Sequence, residues 1–88
     1  MYRLKIKPDL KKNLKKLEKK NQKQIEIILR KVDKILANPH IYKNLRAPLN
    51  EWKRVHIDKH FVLFFSVDEE SNSVTLEDYD HHDNIYNH

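Results

Sequence analysis

Six histidines, at positions 40, 56, 60, 81, 82 and 88, are the residues of this 88-residue chain best suited to chemistry. Imidazole changes charge near neutral pH, so a cluster of such side chains can move protons. Three of the six lie in the last nine residues, DHHDNIYNH. A frayed polar tail is the alternative, because chain termini are often disordered. The apolar pair Ile85 and Tyr86 argues for a segment that belongs to the fold.

Imidazoles beside an arginine suit the cleavage of RNA by attack of its own 2′-hydroxyl on the adjacent phosphorus. That reaction needs a base, an acid for the leaving 5′-oxygen, and cations for the charge on the phosphoryl oxygens. In the stretch WKRVHI, alternation puts Trp52, Arg54 and His56 on one face of a strand. Aromatic side chains such as Trp52 and Tyr86 can stack a base. The scheme requires no metal and no nucleotide cofactor.

These side chains also have structural interpretations. A single histidine on a strand is more often a solvated or hydrogen-bonded bystander than a catalyst. Arg54 can pair with Glu51 or Asp58, a surface contact typically worth under about 1 kcal/mol. Tyr86 can simply pin the terminus to the core.

A metal site is the chemical alternative to proton transfer. His56 and His60 have the spacing of a helical zinc pair, but they fall in a predicted strand and turn, and the glutamate of the HExxH signature is missing. A site made of His60, His82 and Asp83 stays open, and stoichiometric zinc in the purified protein would favour it. We expect no metal.

The apolar pattern predicts the elements that position these residues. Alternation at Tyr2, Leu4 and Ile6 predicts a half-exposed first strand. Helical spacing then predicts a hairpin of two helices, one over residues 8–20 and one from the cap Asn21 to residues 38–39. After a loop at 38–51, strands are predicted over 52–57, 61–65 and 74–79, with Asn72 as the candidate for a left-handed turn position. In the last strand, alternation puts Val74, Leu76 and Asp78 on one face and Thr75, Glu77 and Tyr79 on the other.

This element order indicates an α+β fold. We expect an antiparallel sheet whose last three strands form a meander, with both helices on one face and the opposite face left open. If the last strand pairs beside the central one, its end lies alongside the start of that central strand. His60 and His81 or His82 would then approach each other, with His56 close by across the turn. Because His81 and His82 are adjacent, one of them is expected to be structural.

Length and composition limit the class of protein. A chain of 88 residues predicts a single domain, residues 1–88, with a thin core. It has no cysteine, no apolar run long enough for a membrane span and no signal-peptide pattern at its start, so we expect a soluble cytoplasmic protein that does not contact the membrane.

The formal charge is +5, and residues 67–88 contain no Lys or Arg. A basic body is consistent with a polyanion partner such as RNA, although a lysine-rich helix face is often only solvated.

The stretches WKRVHIDKHFVLFFSVDEE and VTLEDYDHHDNIY, with the strand and helical hairpin before them, resemble the RelE/ParE superfamily of toxins from toxin–antitoxin pairs. The RelE/YafQ-like branch is the most similar. The resemblance implies a RelE-like fold and a ribosome-associated mRNA endonuclease that a cognate antitoxin wraps and silences. It implies metal-independent acid–base catalysis without a cofactor, and contact with DNA only through the antitoxin complex.

The resemblance also implies roles for individual residues. His82 matches the C-terminal catalytic histidine, and Tyr86 the aromatic residue four positions later. His56 matches the histidine or arginine on the strand of the site, and His60 stands where a YafQ-like toxin has an acidic residue. The implied catalytic set is His82 as general acid, His56 or His60 as base or phosphate contact, and Arg54 as electrostatic stabiliser. The implied RNA contacts are Tyr86, Trp52, Lys53, Arg46 and His81, with the hairpin lysines facing ribosomal RNA.

Two other functions stay open. ParE-like members of the same fold poison DNA gyrase by binding it and lack the acid–base set. The histidines of this chain argue against that branch without eliminating it. A catalytically inactive protein with the RelE fold is the remaining alternative.

Overall fold

The computed structural model describes residues 1–81 and contains the predicted elements in the predicted order. In chain order they are β1 (Arg3–Ile6), α1 (Pro8–Lys20), α2 (Gln22–Ala37), a 3₁₀ turn (Pro39–Ile41), β2 (Trp52–Ile57), β3 (Phe61–Asp68) and β4 (Ser73–His81). The fold is α+β, as predicted.

The two helices form a hairpin whose ends are defined by local chemistry. Pro8 opens α1, where its missing N–H costs no helical hydrogen bond. The side chain of Asn21 accepts the N–H of Gln24 at 3.1 Å and so caps the start of α2, as predicted. No helix within residues 1–81 has the length and apolar character that crossing a membrane requires. The apolar stripes of the helices bury Leu10, Ile28, Val32 and Ile35 against the sheet.

The four strands form one sheet in the order β1-β4-β3-β2. The last three strands are the predicted antiparallel meander. The first strand, β1, pairs with β4 in the parallel sense, with Leu4 opposite Val74. The sheet is therefore mixed, and the prediction of an antiparallel sheet is wrong for β1. Parallel neighbours need a long crossover, and the connection from β1 to β4 includes both helices.

The sheet has two unlike faces. The covered face packs on the helices, and its core residues are at most 6% exposed: Val55, Ile57, Leu63, Phe65, Val74 and Leu76. The open face is the opposite side of the sheet and carries Trp52, Arg54 and His56 of β2, Val62 and Phe64 of β3, and Asp78 and Asp80 of β4. Val62 and Phe64 are buried as well, which agrees with a β3 that is apolar on both sides.

A β-bulge in β4 decides which side chains reach the open face. Phe64 pairs with Asp78 and Phe65 pairs with Leu76, so Glu77 is an extra residue on β4. Beyond the bulge the alternation shifts by one position, and Asp78 joins Phe64 on the open face. The prediction that Leu76 and Asp78 share a face is therefore wrong. Strict alternation does not continue through a bulge.

Two residues with positive φ form tight turns in a chain that has no glycine. Asn72 has φ of 52° between β3 and β4, which confirms the prediction, and Asp58 has φ of 51° between β2 and β3. Asn and Asp tolerate this conformation better than other non-glycine residues. The carboxylate of Asp58 accepts the backbone N–H of His60 at 2.7 Å, so this turn fixes where His60 leaves it.

Candidate active site

Three side chains of the predicted chemistry lie in a row along the open face of β2. Trp52, Arg54 and His56 alternate with residues of the covered face, as predicted. His56 is exposed, whereas Trp52 and Arg54 are partly buried. The indole centroid of Trp52 lies 5.8 Å from the ring centroid of Phe64, and this contact holds the indole against the sheet. The edge strand thus presents an aromatic ring, a guanidinium group and an imidazole on one side.

A basic pocket lies between Arg54 and the loop that precedes β2. It has a volume of about 580 Å³, and the described residues that line it include no acid. The loop runs beside β2, because the N–H of Leu45 donates to the carbonyl oxygen of Trp52 at 2.8 Å. Guanidinium and ammonium groups that converge in this way suit a phosphate group. The lining residues are Lys43, Asn44, Leu45, Arg46 and Arg54.

Lys53, a predicted RNA contact, lies on the other side of β2 from Arg54. It pairs with Phe65 of the covered face. Its ammonium group donates to the carbonyl oxygen of Tyr42 at 3.0 Å and to the side-chain oxygen of Asn44 at 2.6 Å. These bonds tie the loop of the basic pocket to the sheet. Lys53 therefore has a positioning contact, and its contact with RNA stays a prediction.

Two histidines from remote parts of the sequence stack where β3 begins and β4 ends. The rings of His60 and His81 have centroids 5.9 Å apart and planes inclined by 10°. His81 pairs with Phe61 in the sheet, and its ring meets the edge of the Phe61 ring at 5.1 Å. The predicted approach of His60 to His81 is confirmed. The stack therefore brings two imidazoles from remote segments together at this end of the sheet.

The histidines do not all share one face of the sheet. Paired residues project to the same side, so His56 lies with Val62 on the open face. His81 lies with Phe61 and Ile57 on the other side. The expected grouping of His56 with His60 and His81 therefore does not extend to a shared face, because His56 and His81 project to opposite sides of the sheet. The turn between β2 and β3 changes the face on which the next histidine emerges, and sequence alternation does not define that change.

Two predicted site residues, His82 and Tyr86, lie outside the described residues. The same holds for Asp83 of the alternative metal site. Within residues 1–81, no group of three or more His, Cys, Asp or Glu side chains is arranged to hold a metal ion. The roles of His82 and Tyr86 stay predictions.

A third polar cluster, at the opposite end of the sheet, was not predicted. The hydroxyl of Tyr2 donates to both carboxylate oxygens of Glu69, at 2.9 and 3.0 Å, and His40 also contacts this carboxylate. The hydrogen bond from Tyr2, followed by that from His40, lowers the pKa of Glu69. The same bond raises the pKa of Tyr2. The cluster joins three segments remote in sequence, and no local pattern marks it.

Sequence comparisons identify the relatives of the chain. The sequence model described as ParE toxin of type II toxin–antitoxin system, parDE, matches residues 4–86. An uncharacterised protein of Methanosarcina mazei is 71% identical over 86 residues, which are 98% of this chain and 100% of that protein. The protein named "Putative toxin RelE4" of Methanocaldococcus jannaschii is 57% identical over 86 residues, which are 98% of this chain and 92% of that protein.

Solved structures share the fold at low sequence identity. A chain of the YoeB–YefM complex from Staphylococcus aureus has a TM-score of 0.79 and 17% identity, over 93% of this chain and 98% of that one. YafQ from Escherichia coli has a TM-score of 0.68 and 15% identity, over 98% and 99% of the two chains. The Helicobacter pylori protein HP0892 has a TM-score of 0.66 and 21% identity, over 98% and 100%. The predicted RelE-like fold is confirmed.

Proposed function

The chain belongs to the ParE toxin family of type II toxin–antitoxin systems, within the RelE/ParE superfamily, and we propose that it is an endoribonuclease that cleaves mRNA on the ribosome. One observation carries the proposal. Arg54 lines a pocket with Lys43 and Arg46, and His56 is exposed two residues further along the same face of β2. A phosphate site next to an imidazole is what RNA cleavage requires.

The proposed reaction is an internal displacement at phosphorus. The RNA backbone lies against the basic pocket, where Arg54 stabilises the charge on the phosphoryl oxygens. His56 takes the proton from the 2′-hydroxyl, whose oxygen attacks the adjacent phosphorus. The bond to the 5′-oxygen breaks, and an acid protonates that oxygen. The products are a 2′,3′-cyclic phosphate and a 5′-hydroxyl, and protons move only between RNA and protein.

His82 is the acid in this proposal, as the family resemblance implies, and Tyr86 stacks a base. The stacked pair of His60 and His81 lies toward the other side of the sheet from His56, so His82 is kept as the proposed proton donor. Each positioned acid or base contributes about 100-fold to 10,000-fold to such reactions. The scheme needs no metal and no nucleotide cofactor.

We also propose a cognate antitoxin as the protein partner, with the ribosome and its mRNA as the target. The antitoxin proposal is supported by the family description and by the neighbour structure, in which YoeB and YefM form a complex. The basic composition of α1 supports a target rich in phosphate, because exposed lysines attract a polyanion.

Inhibition of DNA gyrase by binding is the second candidate function. The family model that matches the chain is described by the ParE toxin, and this description favours that candidate. Binding to gyrase would need no acid–base set, so it would not depend on His56 or His82.

Adding the purified protein to translating ribosomes, and mapping the ends of a defined mRNA, tests the proposal. We expect cuts in phase with the codons, each leaving a 5′-hydroxyl, and their loss in a His82→Ala variant whose circular dichroism is unchanged. Full cutting by that variant would remove His82 as the acid. An uncut mRNA, together with arrested supercoiling by purified gyrase, would favour the second candidate.

A further inference from the structure

A second pocket on the open face has no place in the proposed displacement at phosphorus. It has a volume of about 460 Å³ and lies between the open face and the beginning of α1. Trp52 forms one wall, and Glu77 and Asp78 of β4 form another. Lys7, Asp9 and Asn13 of the segment at the beginning of α1 also line it. The pocket therefore combines an aromatic ring with carboxylates, whereas the residues within 1–81 that line the basic pocket are cationic or neutral.

The β-bulge brings the two carboxylates of β4, Glu77 and Asp78, to this pocket. Without the bulge, neighbouring residues of a strand would project to opposite faces. Because Glu77 is the extra residue, Asp78 shares the open face with its pairing partner Phe64. Glu77 lines the same pocket as Asp78. Bulges often redirect a side chain next to a functional site.

The two carboxylates of β4 have different surroundings. Glu77 accepts the hydroxyl of Ser66 at 2.6 Å and lies 3.5 Å from the ammonium group of Lys7. Its charge is thus balanced within the protein, and its side chain is only 10% exposed. Asp78 accepts the backbone N–H of Tyr79 at 2.8 Å, which orients its carboxylate, and it is exposed. Asp78 is therefore the carboxylate of β4 that a ligand can reach, and Asp9 of α1 is a second exposed carboxylate of the pocket.

An indole beside an oriented carboxylate has the chemistry of a nucleobase site. Any base can stack on the indole, so stacking alone gives affinity without choice of base. A carboxylate only accepts hydrogen bonds, so it selects bases that present N–H groups on their pairing edge. Guanine presents two adjacent N–H groups, at N1 and N2, that match both oxygens of one carboxylate.

We propose that the pocket formed by Trp52 and Asp78 binds a guanine base and sets the base preference at the cut. The inference rests on the proposed function for its connection to cleavage. Trp52 and Arg54 are two residues apart on one face of β2, a separation of roughly 7 Å along a strand. A base on Trp52 and a backbone phosphate in the basic pocket therefore belong to the same short stretch of RNA.

The fluorescence of Trp52, the only tryptophan of the chain, tests the pocket without ribosomes. The probes are 2′-O-methyl uridine hexamers that contain one guanine or one adenine and that cannot be cleaved. We expect the guanine hexamer to quench the indole at a concentration about tenfold lower than the adenine hexamer, because a paired set of hydrogen bonds to one base discriminates against a base that cannot form it. Equal quenching by both hexamers, or no quenching, would overturn the inference.

An Asp78→Asn variant supplies the specific test. Its amide has one acceptor oxygen and can still accept the N–H of Tyr79, but it cannot accept two N–H groups of guanine on two oxygens. We expect the preference for guanine to disappear, whereas Asp33→Asn, the same change on the exposed surface of α2, should retain it. Unchanged preference in Asp78→Asn would contradict the inference.

Mapping of the mRNA ends separates this inference from the proposed function. If guanine binds but no mRNA is cut, the proposed function fails and the base pocket stands. If mRNA is cut without guanine next to the cut, and the hexamers bind equally, the base pocket fails and the proposed function stands.

Discussion

The two faces of the sheet use the same strands for different purposes. Phe64 and Phe65 are neighbours on β3, yet Phe65 packs into the core beneath the helices and Phe64 supports Trp52 on the open face. The buried core residues of the covered face are apolar, whereas the open face carries Arg54, His56 and Asp78. Substitutions on the covered face should therefore change stability, and substitutions on the open face should change activity.

The largest change in stability is expected for Phe65→Ala. Phe65 is 0% exposed, and its ring centroid lies 5.6 Å from that of Tyr42. Removing the ring leaves a cavity in a thin core and should lower the free energy of unfolding by about 3–5 kcal/mol. Urea denaturation followed by circular dichroism measures this loss. The matched change on the open face, His56→Ala, should cost no more than about 1 kcal/mol, and an equal cost at both positions would contradict the division between the faces.

A smaller effect is expected for Tyr79→Phe, which alters a polar contact on the covered face. The side-chain amide of Gln24, 6% exposed, donates to the Tyr79 hydroxyl at 2.8 Å. The substitution leaves this N–H without an acceptor and should cost about 1–3 kcal/mol at neutral pH. A cost near zero, measured by urea denaturation, would show that the amide finds another acceptor.

The same variant should also change how the free energy of unfolding depends on pH above pH 10. Burial raises the pKa of Tyr79 above its ordinary value of 10.0, so the folded state favours the neutral phenol. This contribution is fully present below pH 10 and is lost as the pH rises through the raised folded-state pKa. The unfolding free energy of the wild type should therefore fall more steeply above pH 10 than that of Tyr79→Phe. Parallel curves would contradict the cause assigned to the shift.

The smallest effect is expected for Glu69→Gln, in the cluster at the far end of the sheet. Hydrogen bonds from Tyr2 and His40 lower the pKa of Glu69 below its ordinary value of 4.5. The stabilisation is present above pH 4.5 and is lost as the pH falls through the lowered folded-state pKa. Acid unfolding of the variant should show a weaker pH dependence than that of the wild type, with mRNA cleavage unchanged. Glu70→Gln, at the next position, is the matched control and should behave as the wild type.

The residues of the covered face could be predicted from the sequence, because the regular spacing of apolar residues follows the side of a helix or strand that is buried. The spacing of Ile28, Val32 and Ile35 predicted a helical stripe, and the apolar run from Phe61 predicted the central strand. The parallel pairing of β1 was not predictable in this way. Strand direction follows from a connection that spans most of the chain, and the alternation of Leu4 and Ile6 is the same in either direction.

The open face was predicted only in part, because register and loop paths are tertiary properties. Alternation correctly put Arg54 and His56 together, since both lie within one regular strand. It failed at Glu77, where one extra residue moves Asp78 to the other face, and at the turn after His56. The contribution of Lys43 to the basic pocket was also missed, because the loop that precedes β2 has no periodic pattern. The only available signal was a second basic residue, Arg46, three positions later.

We propose that the open face of β2 cleaves RNA, so an Arg54→Ala variant should cut a ribosome-bound mRNA more slowly than the wild type. We predict a loss of about 100-fold or more with unchanged urea denaturation. Arg3→Ala, which removes a guanidinium group bonded to the carbonyl oxygen of Ser71 at 3.1 Å, should cut as the wild type does. Cutting by folded Arg54→Ala at the wild-type rate would contradict the claim.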